Sequence, residues 1–170
     1  MISNRYTRLD MDSITTGYLA DHPAALPILA EAFRAESPAY FHDWSAADIA
    51  DRLLRPTLQR DALPLALVAR VGGEVVGTVA LRSESITTRP QLGPWVAALH
   101  VLPAHRGQGI GGHLIRAAEA EAARLGIGYL YAGSGPAAAL FARLGWQLLE
   151  WATHHGAPLA ILGRDLGAEI

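Results

Sequence analysis

Arg106, Gly107, Gln108, Gly109, Ile110, Gly111 and Gly112 form the segment of this chain best suited to chemistry, because an arginine and four glycines separate an apolar run from a helical pattern. Glycines let a ligand approach the backbone, and a helix start offers N–H groups with no intrahelical partner at the positive end of the helix dipole. Such a turn suits a phosphate or pyrophosphate. No Ser, Thr, Asp or Asn stands at this helix start to occupy those donors. Upstream, Trp95 to Leu102 reads as a buried strand; downstream, Ile110, Leu114, Ala118, Ala122 and Leu125 recur at helical spacing. Gly126 closes that helix at its C′ position.

Several ligands could use such a turn. Gly107, Gly109 and Gly112 fit the dinucleotide pattern G-x-G-x-x-G, which would make the protein a nicotinamide or flavin oxidoreductase. That site wants an Asp or Glu at the end of the next strand, roughly 20 residues on. The next strand, Tyr129 to Ala132, instead runs into Gly133, Ser134 and Gly135, and Glu119 and Glu121 lie inside the helix. A P-loop needs a lysine on the terminal phosphates, and the chain contains none. A tight turn without a ligand is the remaining bland reading; Arg106 beside spaced glycines argues against it.

Arg106, Gly109 and Gly111 also fit R/Q-x-x-G-x-G/A, and here the chain resembles the GNAT N-acetyltransferases. Leu99, His100 and Val101 stand where that superfamily places a splayed strand. Ala137 to Trp146 looks like its second motif, a short helix followed by Gly and an aromatic. The resemblance spans roughly residues 95 to 146. It implies acetyl-CoA as co-substrate, with Leu99, His100 and Val101 along the pantetheine arm. Arg106, Gly107, Gln108, Gly109, Ile110, Gly111 and Gly112 would then hold the pyrophosphate, and Ser134 and Phe141 would touch the cofactor. Ser134 replaces a frequent Asn and Phe141 a frequent Tyr.

Acetyl transfer to an amine needs a deprotonated amine, donors for the carbonyl oxygen and a tolerated thiolate. By resemblance, backbone N–H groups around Leu99 to Val101 are the donors. Strand alternation puts Trp95, Ala97 and Leu99 on one face and His100 on the other, so no titrating side chain shares the first face. Glu84 and His42 are candidate bases lining an acceptor cleft, or else solvated loop residues. Trp95 is a candidate wall of the acceptor pocket, with core packing the alternative. A phenyl ring donates no proton, so Tyr129 and Tyr131, which share a strand face, are the possible substitutes, with Tyr131 the candidate acid. His154 and His155 would point to opposite faces of a strand, and no metal site is expected. A non-catalytic acyl-CoA-binding protein is the competing function.

These residues must be positioned by one domain: 170 residues with 51% hydrophobic side chains bury one substantial core. Residues 1–12 read as an extension and 13–168 as the domain. A net charge of −2 without a basic cluster disfavours nucleic acid or an anionic membrane as partner. The resemblance implies a small-molecule or peptide amine as acceptor, and a homodimer is compatible with the sequence. The absence of cysteine and of any apolar run of roughly 18 residues suggests a cytoplasmic protein.

The expected elements are a strand from Ile14 to Leu19, a helix entered at Asp21 and Pro23, and a second helix capped by Ser45 and ended by Pro56. Asp48 with Arg52 and Asp51 with Arg55 stand at i,i+4 spacing on that helix. Leu65–Arg70 and Val75–Leu81 form a hairpin about Gly72 and Gly73, with Gly77 marking a bulge or close packing. After a loop over residues 83–93 and the central strand and helix come Tyr129, a short helix from Pro136, a strand from Trp146 to Ala152, and a last strand from Pro158 stopped by Gly163. Periodicity gives a mixed α/β domain; the resemblance implies the GNAT fold, a mixed central sheet with helices on both faces.

Overall fold

The computed structural model describes residues 13–167, so the expected extension over residues 1–12 and the end of the domain at 168 lie outside them. Strand β1 is Ile14–Tyr18; two short 3-10 turns lead into α1, Leu26–Glu36, and then α2, Ala46–Ile49. The hairpin strands are β2, Leu65–Val71, and β3, Glu74–Arg82; β4 is Trp95–Val101 and α3 is Ile110–Arg124. The remainder is β5, Tyr129–Ser134, α4, Ala138–Arg143, β6, Gln147–His154, and β7, Ala157–Asp165. The order of strands and helices is the expected one.

These strands make one seven-stranded sheet in the order β1-β2-β3-β4-β5-β7-β6. Only β4 and β5 pair in parallel. Continuous apolar runs such as Leu65 to Ala69 are buried on both faces, as a sheet covered on both sides requires. Leu65, Leu67 and Ala69 join α3 and α4 in one core, while Ala66 and Val68 face α1 and α2 in the other. Ser45 caps α2 as expected, its hydroxyl accepting the Asp48 N–H at 3.0 Å. Asp48 returns the bond to the Ser45 N–H at 2.9 Å, so Arg52 lies instead over the Trp44 ring at 4.1 Å. Asp51 and Arg55 do pair, at 3.2 Å.

Three sequence expectations fail for identifiable reasons. Gly163 does not stop β7, which continues to Asp165. A Cβ there would stand 2.8 Å from carbons of the Tyr129 ring, so the glycine marks a close approach within the strand. His154 and His155 do not diverge: His155 has left the strand, with φ +49°, and the two rings meet edge to face at 4.1 Å.

The third failure concerns the central strand. Thr78 pairs with His100 but Ala80 with Ala97, so the single residue Val79 opposes both Ala98 and Leu99. That is a β-bulge, and it resets the alternation of side chains. Ala98 takes the left-handed value φ +53°. Leu99 and Val101 consequently pack toward α3, while His100 packs on Phe33 of α1 with ring centroids 5.3 Å apart. His100 thus shares the α1 face with Trp95 and Ala97, and Leu99 does not. Gly77 makes room for this, since a Cβ there would lie 2.9 Å from the His100 carbonyl oxygen.

Candidate active site

The bulge opens a gap in the sheet. Strands β4 and β5 pair only at Trp95 with Tyr131 and Val96 with Ala132, reinforced by the Tyr131 N–H donating to the Pro94 carbonyl at 3.0 Å. From Ala97 onward β4 stays with β3 and parts from β5, leaving backbone groups on its β5 side open to a ligand. Gly109, at φ +83°, precedes α3 as its N-cap with no side-chain cap. The first bond of the helix is donated by His113 to the Gly109 carbonyl at 3.1 Å. The N–H groups of Ile110, Gly111 and Gly112 precede it. Gly111 keeps α3 close to α4, for a Cβ there would stand 3.2 Å from Leu140.

Arg106 gives two of its three nitrogens to the protein. Its Nε donates to the Val101 carbonyl at 2.9 Å and an Nη to Glu36 at 3.0 Å, which ties the glycine turn to the ends of β4 and α1. Beside the turn, Gly109, Gly112, His113, Arg116, Ala117, Leu144 and Thr16 line a depression of about 450 Å³. Helix α3 is fixed in this aim by polar anchors: Tyr18 donates to Glu121 at 2.6 Å and the Trp146 indole to Glu119 at 2.8 Å. Glu119 is 8% exposed and also receives Arg116 at 2.9 Å, so its charge is not left unpaired.

The remaining side chains scatter. His100 is 6% exposed and its Nε2 has no partner among the described residues. Burial, and after it the Arg106 guanidinium, hold its imidazole below the ordinary histidine range against the opposing pull of Glu36. Trp95 is fully buried, with its indole N–H on the Leu92 carbonyl at 2.9 Å; no ring face is left for an acceptor. Tyr131 is half-buried between Trp95 and Tyr129, at centroid distances of 5.6 and 4.9 Å. Phe141 is buried in the α3-side core, edge-on to Trp146 at 4.9 Å. The Ser134 hydroxyl accepts the Ala137 N–H at 3.0 Å and so opens α4.

Glu84 is exposed in its loop. His42 is exposed as well, its Nε2 2.9 Å from the Asp43 carboxylate, and it borders a depression with the solvent-facing Glu31 and Arg34 of α1. One contact had no signal in the sequence. Tyr40, in the loop after α1, meets His155, in the β6–β7 turn, edge to face at 4.8 Å.

A sequence profile of the Acetyltransferase (GNAT) family matches residues 28–146. No curated protein matches the chain. Among solved structures, a Salmonella typhimurium protein with its cofactor acetyl-CoA is 18% identical, covering 92% of this chain and 96% of its own at a TM-score of 0.70. An aminoglycoside 6'-N-acetyltransferase complexed with coenzyme A is 14% identical, with coverages of 92% and 99% and a TM-score of 0.73. An IAA acetyltransferase from Bacillus cereus is 24% identical, with coverages of 90% and 99% and a TM-score of 0.57. At these identities the likeness shows the fold.

Proposed function

The chain belongs to the Acetyltransferase (GNAT) family, and on that premise we propose that it transfers the acetyl group of acetyl-CoA to an amino group of a small molecule or peptide. The observation that carries the reading is the parting of β4 from β5 beside an uncapped helix start. A pantetheine arm fits the freed β4 edge around Leu99, His100 and Val101, and a pyrophosphate fits the N–H groups from Gly107 to Gly112. Arg106 holds that turn in place, Gln108 and Ile110 lend it backbone, and the depression along Gly112, His113 and Arg116 lies where the remaining nucleotide would run.

Acetyl-CoA supplies an activated thioester: the amine nitrogen bonds to the carbonyl carbon, the carbon–sulfur bond breaks, and the nitrogen gives up a proton. Backbone N–H groups beside the bulge face the carbonyl oxygen, where fixed dipoles stabilise developing charge. The departing thiol has a reference pKa near that of cysteine, ~8.5, so its thiolate is a tolerable leaving group even though Phe141 cannot donate. Tyr131 is the proton donor in this reading, with Glu84 or His42 relaying the amine proton through water. Trp95, Ser134 and Phe141 support the site through packing and the α4 turn.

Release of free thiol from acetyl-CoA across an amine panel tests the proposal, with thermal stabilisation by acetyl-CoA as its companion. Stabilisation with no thiol release would favour an acyl-CoA-binding protein; no stabilisation would remove the reading altogether. Pairing of two copies belongs to the same proposal, supported by β6. It is the last strand of the sheet, and its Leu148, Leu149 and Trp151 are 53%, 45% and 63% exposed, a free apolar edge that a second β6 would cover. Sedimentation of Trp151→Lys should then show a monomer where the parent is a dimer. No helix among the described residues is long and apolar enough to cross a membrane; a cytoplasmic setting, expected from the cysteine-free sequence, completes the proposal.

A further inference from the structure

The ring contact between Tyr40 and His155 joins two loops that secondary structure alone would leave apart, and its place relative to the gap can be worked out from the register. At the open end of the gap, Ser134 of β5 pairs with Ala160 of β7, and β7 begins just before, where Ala157 pairs with His154. The β6–β7 turn carrying His155 therefore stands at the end where β5 has parted from β4. From the other side, α1 reaches the same end: Phe33 lies on His100 and Glu36 pairs with Arg106. Tyr40 follows four residues later. The Tyr40–His155 contact thus bridges the open end of the gap on the face away from α3.

The chemistry around that bridge is aromatic. Tyr40 also meets Phe41 edge-on at 4.7 Å, and His155 meets His154 at 4.1 Å. Burial and the neighbouring His155 hold the His154 imidazole below the ordinary range, which favours its neutral form. Ala97 and Ala98, half-buried, lie on β4 where it leaves β5, and the half-buried Tyr131 stands beside Trp95 at the joined end of the gap. Two carboxylates near these loops are ion-paired, Glu36 with Arg106 and Glu150 with Arg89. At the bridge itself a flat apolar body would find ring edges and methyl groups, while the arginines paired with Glu36 and Glu150 offer a polycation no attraction.

We propose that Tyr40 and His155 form a specificity gate over the acceptor side of the β4–β5 gap, and that the acceptor it admits is a primary amine carried on a flat, apolar or aromatic body rather than a polycation. The inference rests on the acetyltransferase reading, because it names the acceptor for that same gap. His155 tolerates glycine particularly well, since φ +49° is a conformation glycine adopts without strain.

The test compares phenethylamine, spermidine and an aminoglycoside as acceptors, with free thiol as readout, in the parent, Tyr40→Ala, Tyr40→Phe and His155→Gly. The parent should favour phenethylamine in kcat/KM by ~10-fold or more, within the range that pocket contacts supply. Tyr40→Ala and His155→Gly should raise its KM by ~2–10-fold, the worth of an aromatic pair, with kcat nearly unchanged. Tyr40→Phe, which keeps the ring, should behave as the parent does. Thermal stabilisation by acetyl-CoA, unchanged in every variant, confirms that each is folded. A preference for spermidine or the aminoglycoside, or an unaltered KM in both truncations, would overturn the gate while leaving the acetyltransferase reading intact. Failure of acetyl-CoA to stabilise the parent would strike at that reading instead.

Discussion

On the α3 side of the sheet the gap between β4 and β5 is served by backbone; on the α1 side it is bordered by side chains. The α3 side offers the N–H groups that precede the first bond of the helix and the strand edge freed by the bulge. The α1 side offers Tyr40, His100, Tyr131 and His155, drawn from a loop, two strands and a turn. Backbone recognition restricts which residue types are allowed at each position, because a Cβ or a negative φ would spoil it. Side-chain recognition restricts only the final arrangement. On the proposed reading, one side can therefore stay fixed to a common co-substrate while the other changes its acceptor.

That contrast is broken most severely by a substitution in the glycine turn. Gly109 occupies the left-handed region at φ +83°, where a β-branched side chain is strongly disfavoured. Acetyl-CoA at ~100 times its dissociation constant should stabilise the parent by ~2.7 kcal/mol; Gly109→Val should abolish this and, with it, thiol release. His155→Gly should leave the stabilisation whole. Equal stabilisation of Gly109→Val and parent, read as melting temperatures, would mean that the backbone is not what holds the co-substrate.

A smaller effect is expected where the two sides share a structural cause. Gly77 pairs with Val101 just beyond the bulge, and a Cβ there would come within 2.9 Å of the His100 carbonyl oxygen, a backbone atom that yields only if β4 shifts. Gly77→Ala should cost ~1–3 kcal/mol of stability, as overpacking does, and should lower turnover by shifting the donors beside the carbonyl. Unfolding in urea gives the first quantity and the thiol assay the second. Unchanged turnover in a destabilised variant would separate the bulge from the chemistry.

The glycine turn was legible because its constraints are local: Arg106 to Gly112 carry both the conformation and the donors within one short segment. The order of strands and helices was legible for the same reason, from apolar periodicity and caps such as Ser45. What escaped depends on contacts between distant residues. The bulge at Ala98 and Leu99 leaves no mark in an apolar strand, yet it reverses the facing of Leu99 and His100. Gly163 reads as a strand stop until the Tyr129 ring is seen lying across it. Trp95 at a strand entrance looks available, and only the packed loop before it shows that it is buried. Tyr40 and His155 carry no motif at all.

The bulge can be tested through the titration of the group it relocated. Because His100 is held below the ordinary histidine pKa by burial and by Arg106, the unfolded chain binds more protons near neutrality than the folded one. Stability is then complete above the unfolded value of ~6.5 and falls as pH drops below it toward the depressed folded value. The loss approaches ~1.4 kcal/mol per pH unit within that window. His100→Gln should flatten the dependence of urea midpoints between pH 7.5 and 5, leaving the slope from His154, which is shifted the same way. An unaltered slope would mean that His100 does not hold the buried place against Phe33 that the bulge gives it.

The finest distinction concerns Arg106, which sits at the junction of the two sides. If its charge bound pyrophosphate directly, removing a charge-assisted bond worth ~1.5–3 kcal/mol would weaken acetyl-CoA binding by more than ~10-fold. Its Nε and one Nη are committed to Val101 and Glu36, however, and on the proposed reading its work is to hold the turn against β4 and α1. Arg106→Ala should accordingly weaken acetyl-CoA by less than ~10-fold, and loss of the exposed pair with Glu36 should cost at most ~1 kcal/mol of stability. Glu36→Gln supplies the decisive comparison. A positioning arginine loses part of its hold when its acidic partner is neutralised, so this variant should weaken acetyl-CoA in the same direction as Arg106→Ala. A phosphate-binding arginine gains from losing a competing carboxylate, and tighter acetyl-CoA binding in Glu36→Gln would move Arg106 from the scaffold to the ligand.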